Sequence, residues 1–395
     1  MVFCPENNRM NKYGFILILF FFLPVIHADS QDSISHISDS LLFRGQISTW
    51  VHYNGSNALP LWLGERYIPE LGYTVNFTRD RLIDFEFSAN QFVNAGIHLS
   101  DSVHSEANIK PYRAWARFST KQLEIRAGLQ KINFGSASIL RPLMWFDRID
   151  PRDPLQLTDG VWGLLGRYYF LNNANIWIWG LYGNKNRKGW ETIKTNREVP
   201  EFGGRFQFPV SKGEAGFSYH YRTADSRNVD SLIPAYAKIP ENRLGFDIRI
   251  DWFIGCWAEV SWSQKSKNLG ALTNQEFINL GMDYTFGIGN GIYTVFEQLL
   301  VSADEKAWAF GNTTTFSLLS VSYPIGLFDN LGAIVYFDWT NNKAYNFFNW
   351  QKQLNNLTFY VMGYWNPEDY YIPSQGAEQT LFAGRGIQVM LVYNH

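Results

Sequence analysis

Arg243-Leu-Gly-Phe-Asp-Ile-Arg-Ile-Asp-Trp252 alternates without a break. Leu244, Phe246, Ile248, Ile250 and Trp252 fall on one face of an extended chain. Arg243, Gly245, Asp247, Arg249 and Asp251 fall on the other. Period two marks a β-strand with one apolar and one polar face. A soluble sandwich and a membrane barrel both produce such a strand, so the decision rests on its neighbours.

Working outward, about 18 segments of this kind can be read, each roughly 9–12 residues long, the length a tilted strand needs to cross a bilayer. They begin near Phe43, Tyr67, Ile83, Tyr112, Gln122, Val161, Ile176, Phe202, Ala215, Arg243, Cys256, Glu276, Ile292, Thr313, Leu331, Ala344, Leu357 and Gly386. Connections after the even-numbered segments are short, as in TRDR, STK, LNN, PVSKG, FIG, GIGN and QLNN. Most of those after odd-numbered segments are longer, including 91–111, 133–158, 185–199, 223–240 and 366–385. Short turns on one rim and long loops on the other are the plan of an outer-membrane barrel. A sandwich has no reason to keep that rhythm. The short link Thr340–Lys343 falls where a long loop is due, which leaves 16 or 18 strands open. The expectation is an all-β, transmembrane antiparallel β-barrel over residues 42–395.

Composition agrees. The 395 residues carry a net charge of −2, 17% aromatic and only 18% charged residues, below the usual quarter. Mean hydropathy is nevertheless slightly negative, as an apolar outside and a wet inside require. A nucleic-acid partner would call for a basic face, which this balance does not supply. Aromatics gather near segment ends: Trp50, Tyr53, Tyr112, Phe118, Trp252, Trp262, Tyr284, Phe286, Trp339, Trp365 and Tyr393. Trp and Tyr at both rims form headgroup-level girdles.

At the N-terminus, Arg9 and Lys12 precede the apolar run Gly14–Ile26, and His27-Ala28 then meets a polar stretch. This three-part pattern reads as a secretory signal over 1–28. Residues 29–41 read as a flexible periplasmic segment. Cys4 falls in the signal, leaving Cys256 alone, so no disulfide follows. The seven His show no H-x-x-x-H spacing, and no cofactor or metal motif is found. The last segment, Gly386–His395, resembles the terminal strand read by the barrel-insertion machinery of Gram-negative bacteria. It ends in Asn-His in place of an aromatic. The lipid bilayer and that machinery are thus expected partners.

The polar faces carry Arg113, Arg117, Arg126, Arg167, Arg205, Arg222, Arg243 and Arg249, with Asp84, Glu86, Glu124, Asp247, Asp251, Glu259, Asp283 and Glu297 among or beyond them. Charges at such positions demand water or close pairing. They either set a field across a pore or pair along its wall. Residues 133–158 form the third long connection. Its Pro142, Pro151 and Pro154 stiffen it, and Leu143, Met144, Trp145 and Phe146 are too apolar to stay in water. A connection of this length is functional or disordered, and its content favours packing, either in the lumen or over the rim. Arg141, Asp147, Arg148, Asp150, Arg152 and Asp153 are the candidate constriction residues.

Here a resemblance enters. Arg126-Ala-Gly-Leu-Gln-Lys-Ile-Asn-Phe-Gly135, followed by Trp145-Phe-Asp-Arg-Ile-Asp-Pro-Arg-Asp-Pro154, resembles a pattern in porin-like outer-membrane proteins of Gram-negative bacteria, including alginate-export-like and related large barrels. In those, R-x-G-R-Q is followed by W-G and a loop with N-P-x-D. Leu129 stands in place of the second Arg and Phe134 in place of the Trp. The match is confined to residues 126–154. It implies a passive channel with a constriction loop at this place and no particular solute; a small solute or an oligosaccharide is the expected partner. Polysaccharide export or binding is the alternative, for which inward aromatics such as Trp50, Trp115, Tyr169, Tyr336 and Tyr360 would supply stacking surfaces. An enzyme would need a nucleophile beside His52 or His220, and the sequence offers no such pairing.

Overall fold

The computed structural model describes residues 39–57, 59–98, 103–227, 229, 233–368 and 382–395. The expected signal over 1–28, and residues 29–38 of the expected periplasmic segment, lie outside the described residues. Eighteen strands follow in order: β1 Ser40–Asn54, β2 Leu61–Thr78, β3 Arg81–Ile97, β4 Val103–Ser119, β5 Leu123–Gln130, β6 Val161–Tyr169, β7 Asn175–Leu181, β8 Glu201–Val210 and β9 Gly213–Ala224. The second half comprises β10 Ile239–Asp251, β11 Gly255–Lys265, β12 Asn274–Phe286, β13 Ile292–Asp304, β14 Thr313–Pro324, β15 Asp329–Asp338, β16 Lys343–Leu354, β17 Leu357–Trp365 and β18 Arg385–Asn394.

Each strand pairs antiparallel with its sequence neighbours, and β1 pairs with β18 from Gln46↔Asn394 to Asn54↔Gly386. The sheet therefore closes. Closure pairs every strand with a neighbour on each side, which a hydrocarbon surrounding demands of the spanning part. Among the described residues no helix is long and apolar enough to span a membrane, so spanning is the work of the strands.

Burial along the strands is inverted relative to a soluble protein. On β10, Glu241, Arg243 and Asp247 are buried, whereas Leu244 and Ile250 are exposed. The outer wall is mainly apolar, with Phe87, Ile178, Phe217 and Leu280 among its exposed side chains. Trp252, Phe253, Tyr284 and Phe286 ring the short-turn rim; Tyr53, Trp339 and Trp365 ring the other. An apolar band between two aromatic girdles is the surface of a transmembrane β-barrel. Trp50 departs from the girdle expectation. It shares its face with buried Ser48 and His52 and packs against the inward cluster of Tyr360, Met362, Met390 and Val392, so it points inward.

The loop rhythm holds with one correction. Residues 91–111 are not a loop: β3 runs to Ile97 and β4 begins at Val103, paired through Ile97↔Val103. Only 98–102 connect them. The upper part of β4 has no partner on its far side, because pairing with β5 starts at Ala114↔Leu129. On the β4 side, Val103–Ile109 are exposed on both faces, whereas β3 stays paired with β2 up to Leu61↔Ile97. The segment's polar residues fall on both faces for that reason, which made it look like loop. The link Trp339–Asn342 is a tight turn with Asn342 at φ 52°, so the count is 18.

Candidate functional site

The connection 131–160 leaves β5 and enters the barrel. Its first landing is on β10–β13, and β13 lies eight places from β5 in the ring of eighteen. Two inward carboxylates receive it. Glu259 of β11 accepts from the backbone N–H of Ala137 (2.8 Å) and Leu143 (2.5 Å). Glu297 of β13 accepts from Ser138 (2.8 Å), Ile139 (3.1 Å) and Leu140 (2.5 Å). Ser136 donates to Asp247 (2.8 Å), Trp145 Nε1 to Ser261 (2.9 Å), and Asn279 to the Leu140 carbonyl (2.6 Å). Glu259 and Glu297 are fully buried. Loop N–H groups supply the charge-assisted bonds that an inward carboxylate needs once water is excluded. Gly135, at φ 109°, permits the approach: a Cβ there would meet the Glu259 carboxylate.

Apolar contacts complete the path. Phe134, Leu143, Trp145 and Phe146 pack with Val161, Leu165 and Trp179 of β6 and β7. Leu140 packs with Leu299, Phe316, Leu318, Tyr336 and Tyr345 on β13–β16. Leu155 reaches Trp50, Tyr360, Met362, Met390 and Val392 on β17, β18 and β1. The chain returns where Arg113 donates to the Thr158 carbonyl (3.0 Å). The loop thus touches nearly the whole inner circumference. The alternative of a lid over the outer rim does not fit these contacts.

The loop's charges are largely spent on each other. Arg141 pairs with Asp147 (2.9 Å) and bonds Asn133 and the Phe134 carbonyl. Arg152 pairs with Asp150 (2.5 Å) and stacks 4.6 Å from Phe382. Asp153 accepts from Leu155 (3.0 Å) and Leu157 (3.3 Å), closing a turn, and burial pushes its carboxyl up. Arg148 donates its N–H to Thr158 (2.8 Å) and keeps a half-buried side chain. Of the six candidates, Arg148 and Asp150 show the more open side chains.

A second inserted connection, 182–200, was not singled out by the sequence beyond its length. Lys188 pairs with Glu201 (2.6 Å). Glu191 accepts from Arg243 (3.0 Å) and lies 3.4 Å from Arg222. Arg222 grips Glu241 through two bonds of 2.7 Å, and Arg243 Nε reaches the same carboxylate (2.7 Å). Lys265 lies 3.5 Å away from it. His220 Nδ1 accepts from Trp179 (3.1 Å), so its Nε2–H faces Glu201 (3.2 Å). All of these are buried. The two loops meet where Trp190 Nε1 donates to the Arg141 carbonyl (2.7 Å) and where Gly189, at φ 46°, passes Met144 too closely for any side chain. The mixture of Trp190 and Ile193 with charges in 182–200 was the signal available.

The remaining wall arginines sit on inward faces. Arg205 binds Asp247 through two bonds (2.5 and 3.0 Å), and Arg117 binds Asp84 likewise (2.9 and 2.7 Å). Arg249 bonds Asp251 and Asp283. Arg126 donates to Glu124 (3.1 Å). Arg167 lies 3.6 Å from Glu124 and stacks 3.8 Å over Trp177. Most of this arc pairs along the wall. His52 bonds Tyr364 (2.7 Å) inside a ring of aromatics. Among the described residues no group of three His, Cys, Asp or Glu side chains is placed to hold a metal.

The architecture defines a transmembrane β-barrel with a loop laid across its lumen. Solved structures place it more closely. The chain is similar to Acinetobacter baumannii OccAB4 (TM-score 0.53, 9% identity, 90% of this chain and 98% of that one). It is also similar to Pseudomonas aeruginosa OccK5 (OpdH) (0.52, 10%, 90% and 97%). Salmonella typhi OmpF in complex with daunomycin gives 0.51, 10%, 92% and 99%. The shared feature is the fold, that of outer-membrane porins. No protein-family profile matches the sequence, and no curated protein matches it.

Proposed function

We propose that this chain is an outer-membrane channel for passive diffusion of small polar or charged solutes, with residues 133–158 as its constriction. The observation that carries the proposal is the clasp of Ala137–Leu143 by Glu259 and Glu297, nearly opposite the strand from which the loop departs. A loop so held narrows the lumen at mid-height and leaves the short-turn half lined by half-exposed polar groups such as Arg44, Glu70 and Lys352. Arg141 and Asp147 brace the loop from within, while Arg148 and Asp150 border the passage. The wall arginines Arg113, Arg117, Arg126 and Arg167 line the route beyond. The protein is non-enzymatic in this reading. The leader 1–28 directs export, and β18 is the element presented to the insertion machinery.

The polysaccharide reading draws less support. Tyr336 and Tyr360, two of its stacking candidates, are covered by Leu140 and Leu155. Purified protein in a planar bilayer tests the proposal. Stepwise insertions with discrete, ohmic conductance are expected; a tight bilayer with correctly folded protein present would overturn the channel.

A further inference from the structure

The wall of β6–β8 carries a hollow on its outer, bilayer-facing side. Its floor is Gly180, where a Cβ would meet nothing within 4 Å. Gly180 pairs with Leu164 on β6 and Phe202 on β8, so the three share the outer face. Trp162 and Tyr182 form the upper border, joined where the Tyr182 N–H donates to the Trp162 carbonyl (3.2 Å), and Pro200 completes it. Trp162, Leu164, Tyr182 and Phe202 are all exposed. The cleft measures about 640 Å³, within the range of clefts that hold small molecules. Its lining is largely apolar, so water finds few partners there. The one charged neighbour, Glu201, is turned to the lumen and held by Lys188 and His220. On the inner side, Phe134 and Trp145 pack on Trp179 and Leu181 and close the wall behind the hollow.

Position decides what fills it. β6 starts, β7 ends and β8 starts at the long-loop rim, so the hollow lies in the outer-leaflet half of the apolar band. The charges above it are one-sided. Asn184 is tied to the Trp162 backbone through both of its side-chain polar atoms (2.9 and 3.0 Å), and Lys185 follows it. The exposed charges of the connection 182–200 are Lys185, Arg187 and Arg197 against Glu198. We propose that the hollow seats one acyl chain of an anionic glycerophospholipid, with its phosphate against this basic rim. The seated chain braces the stem of 182–200 at Tyr182 and Pro200. Basic residues at headgroup level attract anionic lipid, and a chain in the hollow recovers contacts that a void forfeits. A second copy of this wall is the poorer occupant, since its own face is recessed at the same place. The proposal rests on the membrane barrel and not on the channel reading.

The experiment uses the folded, detergent-solubilised protein. It is incubated with dimyristoyl phosphatidylglycerol, or with dimyristoyl phosphatidylcholine as the control, and native mass spectrometry counts the lipid retained. One phosphatidylglycerol should stay bound after collisional activation strips the rest, and phosphatidylcholine should not. Gly180→Leu fills the hollow and should weaken retention about tenfold. Gly363→Leu, at an equally open outward glycine of β17, should leave it unchanged. Lys185→Gln with Arg197→Gln should reduce the preference for phosphatidylglycerol severalfold. Native retention in Gly180→Leu, or equal loss in the two glycine variants, overturns the site. Equal retention of the two lipids by the native protein overturns the anionic class. Displacement by lipid A at lower concentration than by phosphatidylglycerol overturns the glycerophospholipid. A dimer that Gly180→Leu dissolves would assign the hollow to a second copy. Bracing is read with trypsin. Delipidated protein should be cut after Lys188, a buried residue, severalfold faster than protein reloaded with phosphatidylglycerol. Equal rates overturn the brace and keep the site.

Discussion

Two sets of inward arginines share one barrel and differ in what surrounds them. Arg205, Arg222 and Arg243 on β8–β10 are buried, each held by at least one carboxylate, and Arg222 and Arg243 also meet Glu191 of the inserted loop 182–200. Arg126 and Arg167 on β5 and β6 keep 15% and 16% of their side-chain exposure, stack on indoles and share a single Glu124. Position around the barrel decides the difference. Where a loop fills the lumen, water is excluded and an unpaired charge is prohibitive, so every cation acquires a partner. Where the filling is looser, the guanidinium groups keep part of their exposure and have fewer carboxylate partners. The same residue type braces one wall and lines the other.

The largest effect expected from breaking this contrast lies in the buried set. Arg222→Met leaves Glu241 and Glu191 short of a cation in a dry environment, a loss on the order of 3–5 kcal/mol. Urea unfolding of the reconstituted barrel measures it, and adding Glu241→Leu should return much of the loss. An unchanged midpoint for the single variant would mean that water reaches this network. Next comes the clasp. Glu259→Gln with Glu297→Gln keeps the size of both side chains and weakens five N–H bonds, each to a charged acceptor and each about 1.5–3 kcal/mol. Trypsin applied to the folded barrel should then cut after Arg141, Arg148 or Arg152, sites protected in the native protein. Equal protection in the double variant would show that apolar packing alone holds the loop. The smallest effect belongs to the open set. Arg126→Gln with Arg167→Gln should leave stability within about 0.5 kcal/mol if water already serves these groups. The reversal potential in a KCl gradient should shift toward potassium selectivity. A large stability loss would assign these arginines to bracing as well.

The contrast also marks what could be read from the sequence. Period-two alternation on segments such as Arg243–Trp252 is local, so a segment was legible at each strand, with the count left at 16 or 18 by the short link Thr340–Lys343. The short turns located one rim with them. Alternation with polar residues on both faces was misread: NQFVNAGI and VHSEANIKP are paired strand, and Val103–Ile109 of the second are exposed on both faces. Pro142, Pro151 and Pro154, with Leu143–Phe146, announced an ordered loop, yet its landing place depends on Glu259 and Glu297, more than a hundred residues away. Such acids on inward faces looked like wall charges in general. The pairing of Lys188 and Glu191 with β8–β10 was hidden for the same reason. Nothing local states which loop enters a lumen.

The central claim is that residues 133–158 cross the lumen and set its width. Single-channel conductance of the native protein beside a variant lacking residues 144–152 tests it most directly. The account predicts discrete native openings and a clearly larger unit conductance once the segment is gone, with the folded barrel retained on a heat-modifiability gel. Identical unit conductance in the two proteins would place the constriction elsewhere and contradict it.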